Sequence, residues 1–208
     1  MPEDSQADTW QTGELQPSSR PRILKRDRTY TFADYFKLRF APADILAELG
    51  LSLTRTHLSL TQWPGDLEAI APLKQRIGDT LPHVSLTSEM ARREILIAPI
   101  IIELIRATNA DLNIEYPIEV NAYLKGDLDY LLSKDHHHLL IIEAKQADLT
   151  RGSTQLAVEL MALHRWVGSP ANQLFTGVVS TGDMWQFGRY EPDTQTIPKA
   201  QIQFSMLS

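Results

Sequence analysis

No cysteine occurs among the 208 residues, which rules out disulfides and thiolate metal ligands and fits a reducing compartment. Long apolar runs are also missing. The longest, Ile95 to Ile105, contains Pro99 and Glu103 and falls far short of the ~20 residues that cross a bilayer, so no membrane span is expected. The chain opens Met1-Pro2-Glu3-Asp4, acidic where a secretory signal would be basic and then apolar, and a cytoplasmic location is the default expectation. Positive charge is in deficit: the net charge of −6 is the wrong sign for a protein that coats nucleic acid through a broad basic face, so any such contact must be local. A glycine-rich phosphate loop, a nucleophile elbow and an HExxH pattern are absent, which removes the commonest nucleotide-binding, acyl-transfer and zinc-protease readings.

What remains is an ordinary globular composition, 43% hydrophobic and 22% charged, in a chain long enough for one substantial core with a small appendage. Residues 1–28 are polar, lack apolar periodicity and end in Arg20, Arg22, Lys25, Arg26 and Arg28; they read as a flexible arm whose basic run is solvated, with phosphate contact the minor alternative. Residues 29–87 read as a helical N-terminal subdomain. Thr31 can cap a helix carrying Phe32, Tyr35, Phe36 and Leu38, Ala43 to Leu49 forms a second helix before Gly50, and Leu67 to Ile77 forms a third, closed by Gly78. Leu51 to Leu60 is a strand or extended segment.

Residues 88–208 carry the informative pattern. Ser88 opens an apolar-periodic helix reaching about Thr108, with a kink or break predicted at Pro99. Three strands follow: Leu112 to Asn121, Asp127 to Ser133 after a Lys125-Gly126 turn, and Leu139 to Ala144 after a His136-His137-His138 connection. Gly152 to Trp166 is an apolar helix, and Phe175 to Ser180 and Met184 to Tyr190 are strands around a Thr181-Gly182-Asp183 turn. The fold class expected is α/β, a mixed central sheet flanked by helices.

On a strand, Glu143 and Lys145 share a face, as do Asp127 and Asp129 on the neighbouring strand, with Leu128 and Tyr130 on the other. If these strands pair, Asp129 comes near Glu143. Two carboxylates plus waters suit Mg²⁺, which keeps much of its hydration shell, and Mn²⁺ is an equivalent guest. A lysine beside them can orient the attacking water or neutralise charge building on a phosphoryl group, and phosphodiester hydrolysis is the natural reaction.

Gly126-Asp127-Leu128-Asp129-Tyr130, then Glu143-Ala144-Lys145 after an apolar strand, then Gln155 on the next helix resembles the PD-(D/E)XK nuclease superfamily. Upstream, Ser88-Glu89 followed by Arg93 and Ile97-Ala98-Pro99 is similar to the opening helix of the nuclease domain of type I restriction endonuclease motor subunits. Downstream, Gly177 to Phe187 resembles the hairpin that ends many such domains, so the likeness covers about residues 88–190. One departure is that no proline precedes Asp129. The resemblance implies a restriction-endonuclease-like α-β-β-β-α-β core with a small helical N-terminal part. It further implies a metal-dependent nuclease in which Asp129 and Glu143 bind metal, Lys145 positions water, Glu89 assists from the helix and Gln155 braces the site. Glu94 is the alternative helix carboxylate. DNA is favoured over RNA as partner, and a homodimer or a place in a protein complex is compatible with it. The other expectation is a catalytically silent nuclease-like module for binding or assembly in a defence, repair or regulatory complex.

Several residues have plainer readings. Glu143 and Lys145 alone could be a surface ion pair, and Asp127 a solvated turn residue. Gln155, four residues before Glu159 and on its side of the helix, could equally be the polar edge of a core helix. Consecutive histidines cannot readily chelate one ion, so His136 to His138 read as solvated loop. His164 and Arg165 suit a helix C-terminus, while Trp166, Trp185 and Phe187 are more often core than base-stacking platforms.

Overall fold

The computed structural model describes residues 21–60, 64–65, 68–135, 137–143, 148–168, 173–192 and 200–206, with the description of 138–143 and 200–206 confined to the backbone. The elements run α1 (Phe32–Lys37), α2 (Pro42–Glu48), β1 (Leu51–Arg55), α3 (Ile70–Thr80), α4 (Glu89–Arg92), a π turn (Arg93–Ile97), α5 (Ala98–Thr108), β2 (Asp111–Asn121), β3 (Leu124–Lys134), β4 (His137–Glu143), α6 (Leu149–Val167), β5 (Phe175–Ser180), β6 (Trp185–Glu191) and β7 (Ala200–Met206). Helix, three strands, helix and two strands follow one another as the sequence predicts, and β7 is an addition the pattern did not announce.

All seven strands form one mixed sheet in the order β1-β7-β6-β5-β4-β3-β2. The β2-β3-β4 meander is antiparallel, α6 crosses over to set β5 parallel to β4, and β1 closes the far edge parallel to β7. Because β6 is antiparallel to both β5 and β7, strands β1, β4, β5 and β7 all point the same way. Their C-terminal ends, Arg55, Glu143, Ser180 and Met206, line one edge of the sheet.

Helix α6 lies on one face and is covered in turn by α1 and α2, so Gly152 to Leu163 are buried without interruption. Leu156, Val158, Leu160, Met161 and Leu163 pack there with Phe32, Tyr35, Ile45, Leu46, Leu128, Phe175 and Val179, each large side chain contributing on the order of 1.5–3 kcal/mol. On the opposite face Ile97 and Ile101 pack against Tyr130, Leu132 and Val178. The boundary expected at residue 87 is crossed by this core, since α1, α2 and β1 share it with α6. The expected flexible arm is anchored from residue 21 onward among the described residues: Leu24 is 1% exposed, and the Ile23 and Leu24 N–H groups donate to the Glu48 carboxylate at 2.6 and 2.9 Å.

Local corrections have local causes. The first hairpin turns at Ala122 and Tyr123, where the Tyr123 N–H donates to Asn121 Oδ1 at 2.8 Å, an Asx turn that outcompetes Lys125-Gly126. Gly126 lies inside β3 at φ 137, and a Cβ there would stand 3.0 Å from the Phe32 ring, so its absence lets α1 approach the sheet. Helix α3 runs through Gly78 to Thr80. His137 and His138 belong to β4, not to a loop, and His136 lies outside the described residues. Trp166, expected in the core, is 45% exposed, whereas Trp185 and Phe187 pack against the α5-side cluster. Among the described residues no helix is long and apolar enough to cross a membrane.

The β5-β6 turn tests this packing. At Gly182, φ is 94 and an added Cβ would meet Leu96 at 2.6 Å, so Gly182→Ala should destabilise the protein by about 1–3 kcal/mol. Gly78→Ala, with open space at the site and a helical backbone, should stabilise by up to about 1 kcal/mol. Urea denaturation of both variants checks the contrast.

Candidate functional site

Helix α4 starts at Glu89 because Ser88 caps it, its Oγ accepting the Ala91 N–H at 3.0 Å. Glu89 is half-buried in the first turn, where the helix dipole favours a carboxylate; Glu94 is exposed. The break predicted at Pro99 falls earlier, as the π turn Arg93–Ile97, and Pro99 sits at the start of α5. Pro99 cannot donate to the carbonyl four residues back, and a widened turn accommodates that missing bond.

Arg93 opens the π turn and reaches the sheet. Its Nε donates to Tyr130 Oη at 2.8 Å, its Nη1 lies 3.4 Å from Glu115 Oε1, and its guanidinium carbon is 4.7 Å from the Tyr130 ring centroid. Burial alone would lower its pKa, but the bond to Tyr130, together with the charges of Asp129 and Glu115, raises it on balance. Arg93 is a permanent cation at this point.

The strands beneath Arg93 depart from simple alternation. Leu112 packs on the α5 side, while Tyr116, Ile118 and Val120, further along β2, pack on the α6 side. In β3, Leu128 packs on the α6 side and Tyr130 and Leu132 on the α5 side. Both strands thus exchange faces at the same level. The cross-strand pairs Ile114 with Tyr130 and Tyr116 with Leu128 bracket the step, where Glu115 adopts φ 51, a left-handed conformation that breaks the pleat for a non-glycine residue. The expected sharing of one face by Leu128 and Tyr130 is therefore wrong. Asp129 sits at the step, half-buried, and its charge is among those that act on Arg93.

Tyr130 pairs with Ile141 of β4, and Glu143 ends that strand opposite Ser180 of β5. Backbone position 143 is in step with 141, hence with Tyr130. Asp129 and Glu143 thus belong to adjacent strands near the same sheet edge. Lys145 lies outside the described residues, as does the rest of 144–147. Asp127 is exposed in β3, paired with Pro117. Gln155 is buried on α6, where its Nε2 donates to Glu159 Oε1 at 2.7 Å within the helix core.

At this edge the β5-β6 turn adds Asp183, whose carboxyl is held below the usual range by the Thr181 hydroxyl, against the opposing effect of burial and with help from backbone N–H groups of the turn and from Arg92. Thr181 and Ser180 are both buried and tie the turn together, Ser180 Oγ accepting the Gly182 N–H at 2.9 Å. Among the described residues no group of three His, Asp or Glu side chains is close enough to hold a metal ion. Asp129 and position 143 supply oxygen donors of the kind a hard divalent cation takes. Glu115 was the neighbour hardest to find in sequence, since its backbone conformation has no signature, whereas Arg93 stands four residues after Glu89, one helical turn on.

No protein-family model matches the chain, and none of the curated proteins matches it.

Gln155→Leu should cost about 1–3 kcal/mol, because it leaves the buried Glu159 carboxylate without this donor. Thermal denaturation reads the loss, and an unchanged melting curve would remove the bracing role within α6.

Proposed function

We propose that the chain is a metal-dependent nuclease of the PD-(D/E)XK type, hydrolysing phosphodiester bonds in DNA or RNA. The observation that carries this reading is topological. An entry helix, an antiparallel three-stranded meander and a helix crossing over to a parallel strand put Asp129 and Glu143 on neighbouring strands near one sheet edge, with the start of α6 six residues beyond Glu143.

In this reading Asp129 and Glu143 hold Mg²⁺ or Mn²⁺, which supplies Lewis-acid polarisation of the phosphoryl group and a more acidic water. Lys145 orients that water and offsets charge as it gathers on the non-bridging oxygens. Glu89, at the start of α4, accepts a hydrogen bond from water at the site. Gln155 acts at one remove, by fixing α6 through Glu159. Cleavage of labelled single- and double-stranded DNA and RNA, with Mg²⁺, Mn²⁺ or EDTA, tests the reading. Lys145→Ala and Asp129→Asn should each lower metal-dependent cleavage at least ~100-fold with the fold retained; cleavage at the wild-type rate in both variants excludes these roles.

A second reading, a nuclease-like module kept for binding or assembly, is favoured by Arg93. A guanidinium whose neighbours include Asp129 and Glu115 already offers a carboxylate the cation it would otherwise seek in a metal. Thermal shift separates the two, since a binding site for Mg²⁺ at 100 times its Kd adds about 2.7 kcal/mol of stability and a silent one adds none.

A further inference from the structure

We propose that a groove on the α6 side of the same sheet edge, carrying Arg39, Arg55 and Arg151, holds the phosphodiester backbone of the DNA that the site cleaves. This rests on the nuclease reading and gives the N-terminal elements a part in it.

Two adjoining depressions share Pro42 and Thr150 as walls. The larger, about 360 Å³, includes Arg39, Phe40, Asp148 and Arg151; the smaller includes Arg55, Ser153 and Gln186. Three arginines from three separate elements, the α1-α2 link, the end of β1 and the first turn of α6, thus meet in one trough. Its walls hold a single carboxylate, Asp148, which caps α6 and pairs with Arg151 at 3.3 Å. Arg39 and Arg55 are exposed and have no ion-pair partner among the described residues. In a chain of net charge −6, exposed arginines kept apart from the abundant carboxylates form a local anion-binding surface, and arginine is the residue best matched to phosphate. Thr150 on the shared wall is an exposed hydroxyl, and Phe40 presents a ring that is 54% exposed.

Position ties the trough to the candidate site. Through the strand register Arg55 is level with Leu140, four strand spacings away, which is about 19 Å at ~4.8 Å per strand, and Glu143 stands three residues further along β4. Thr150 follows Lys145 by five residues, a reach of at most ~18 Å. A DNA strand presents one phosphate per ~3.4 Å of axis, so phosphates about six steps from the cut lie within the trough's reach.

The test is binding to a labelled DNA duplex of about two helical turns in EDTA, so that no cleavage is needed, at several salt concentrations from about 50 to 200 mM. The triple variant Arg39→Gln/Arg55→Gln/Arg151→Gln should bind about tenfold more weakly or worse at the lowest salt. Its log–log salt dependence should be shallower by roughly one unit per arginine. The corresponding triple Arg→Lys variant, which keeps the charge on the same sites, should stay near wild type. A Gln triple that binds with wild-type affinity and slope overturns the groove, as does a Lys triple as weak as the Gln one, or a wild-type chain that does not bind the duplex. The nuclease reading stands or falls separately, on whether Lys145→Ala abolishes cleavage: a groove that binds without any cutting, and cutting that survives the Gln triple, are distinguishable results.

Discussion

Burial of α6 on every side is the constraint from which the rest of the architecture follows. A helix on the surface of a sheet needs only one apolar stripe, but here Gly152 to Leu163 are all enclosed, which is possible only because α1 and α2 form an outer layer over it. That requirement explains why residues upstream of 87 are not a detachable appendage: Phe32, Tyr35, Ile45 and Leu46 supply the second wall of the same cluster. It also explains the Gln155 to Glu159 bond, since a carboxylate with no exposed surface must find donors inside the protein. The helix so fixed sets the parallel relation of β4 and β5, and with it the edge where their C-terminal ends meet.

The exchange of faces at Glu115 and Asp129 is the second determinant, and it acts on the site directly. It falls between the Ile114–Tyr130 and Tyr116–Leu128 pairs, the level from which both Asp129 and Glu115 act on Arg93. The step at Glu115, at φ 51, costs backbone energy on the order of 1 kcal/mol or more. Arg93 offsets it by bonding the Tyr130 hydroxyl and pairing with Glu115, and it does so from the first residue of the π turn. Two irregularities, one in the entry helix and one in the sheet, are therefore joined by one guanidinium. Departures from regular geometry that are held in place this way concentrate at functional sites.

Much of the fold was legible because its elements are strongly patterned. The period of Ile97, Ile101 and Ile105, the apolar block of α6 and the Thr181-Gly182-Asp183 turn each speak for themselves. What misled was competition between local signals. Lys125-Gly126 looks like a turn, yet Asn121 offers a better one through its side chain, and Gly126 is needed where Phe32 crosses. Strand β7 carries Gln201, Gln203 and Ser205 in alternation with apolar residues, a weak signal that only pairing with β6 and β1 makes decisive. For the candidate site, the placement of Asp129 and Glu143 on adjacent strands was legible by order along the chain. Their faces were not, because a left-handed glutamate inside a strand leaves no mark on hydrophobic periodicity.

Net charge says equally little about any one patch. A total of −6 is a sum over the whole surface, whereas a phosphate backbone responds to charges within about one Debye length, ~8–10 Å at moderate salt. What matters is where the carboxylates are already committed: Glu48 to Arg22 and to the backbone of residues 23 and 24, Glu103 to Arg76 and Arg106, Glu115 to Arg93, Asp34 to Lys37 and the cap of α1. These pairs lie on α1, α2, α5 and the β2 side of the sheet, and they leave the trough between α2, β1 and α6 with an excess of guanidinium. A chain can be acidic overall and still carry a local positive track, because the sign of a patch is set by which charges are left unpaired there and not by the sum.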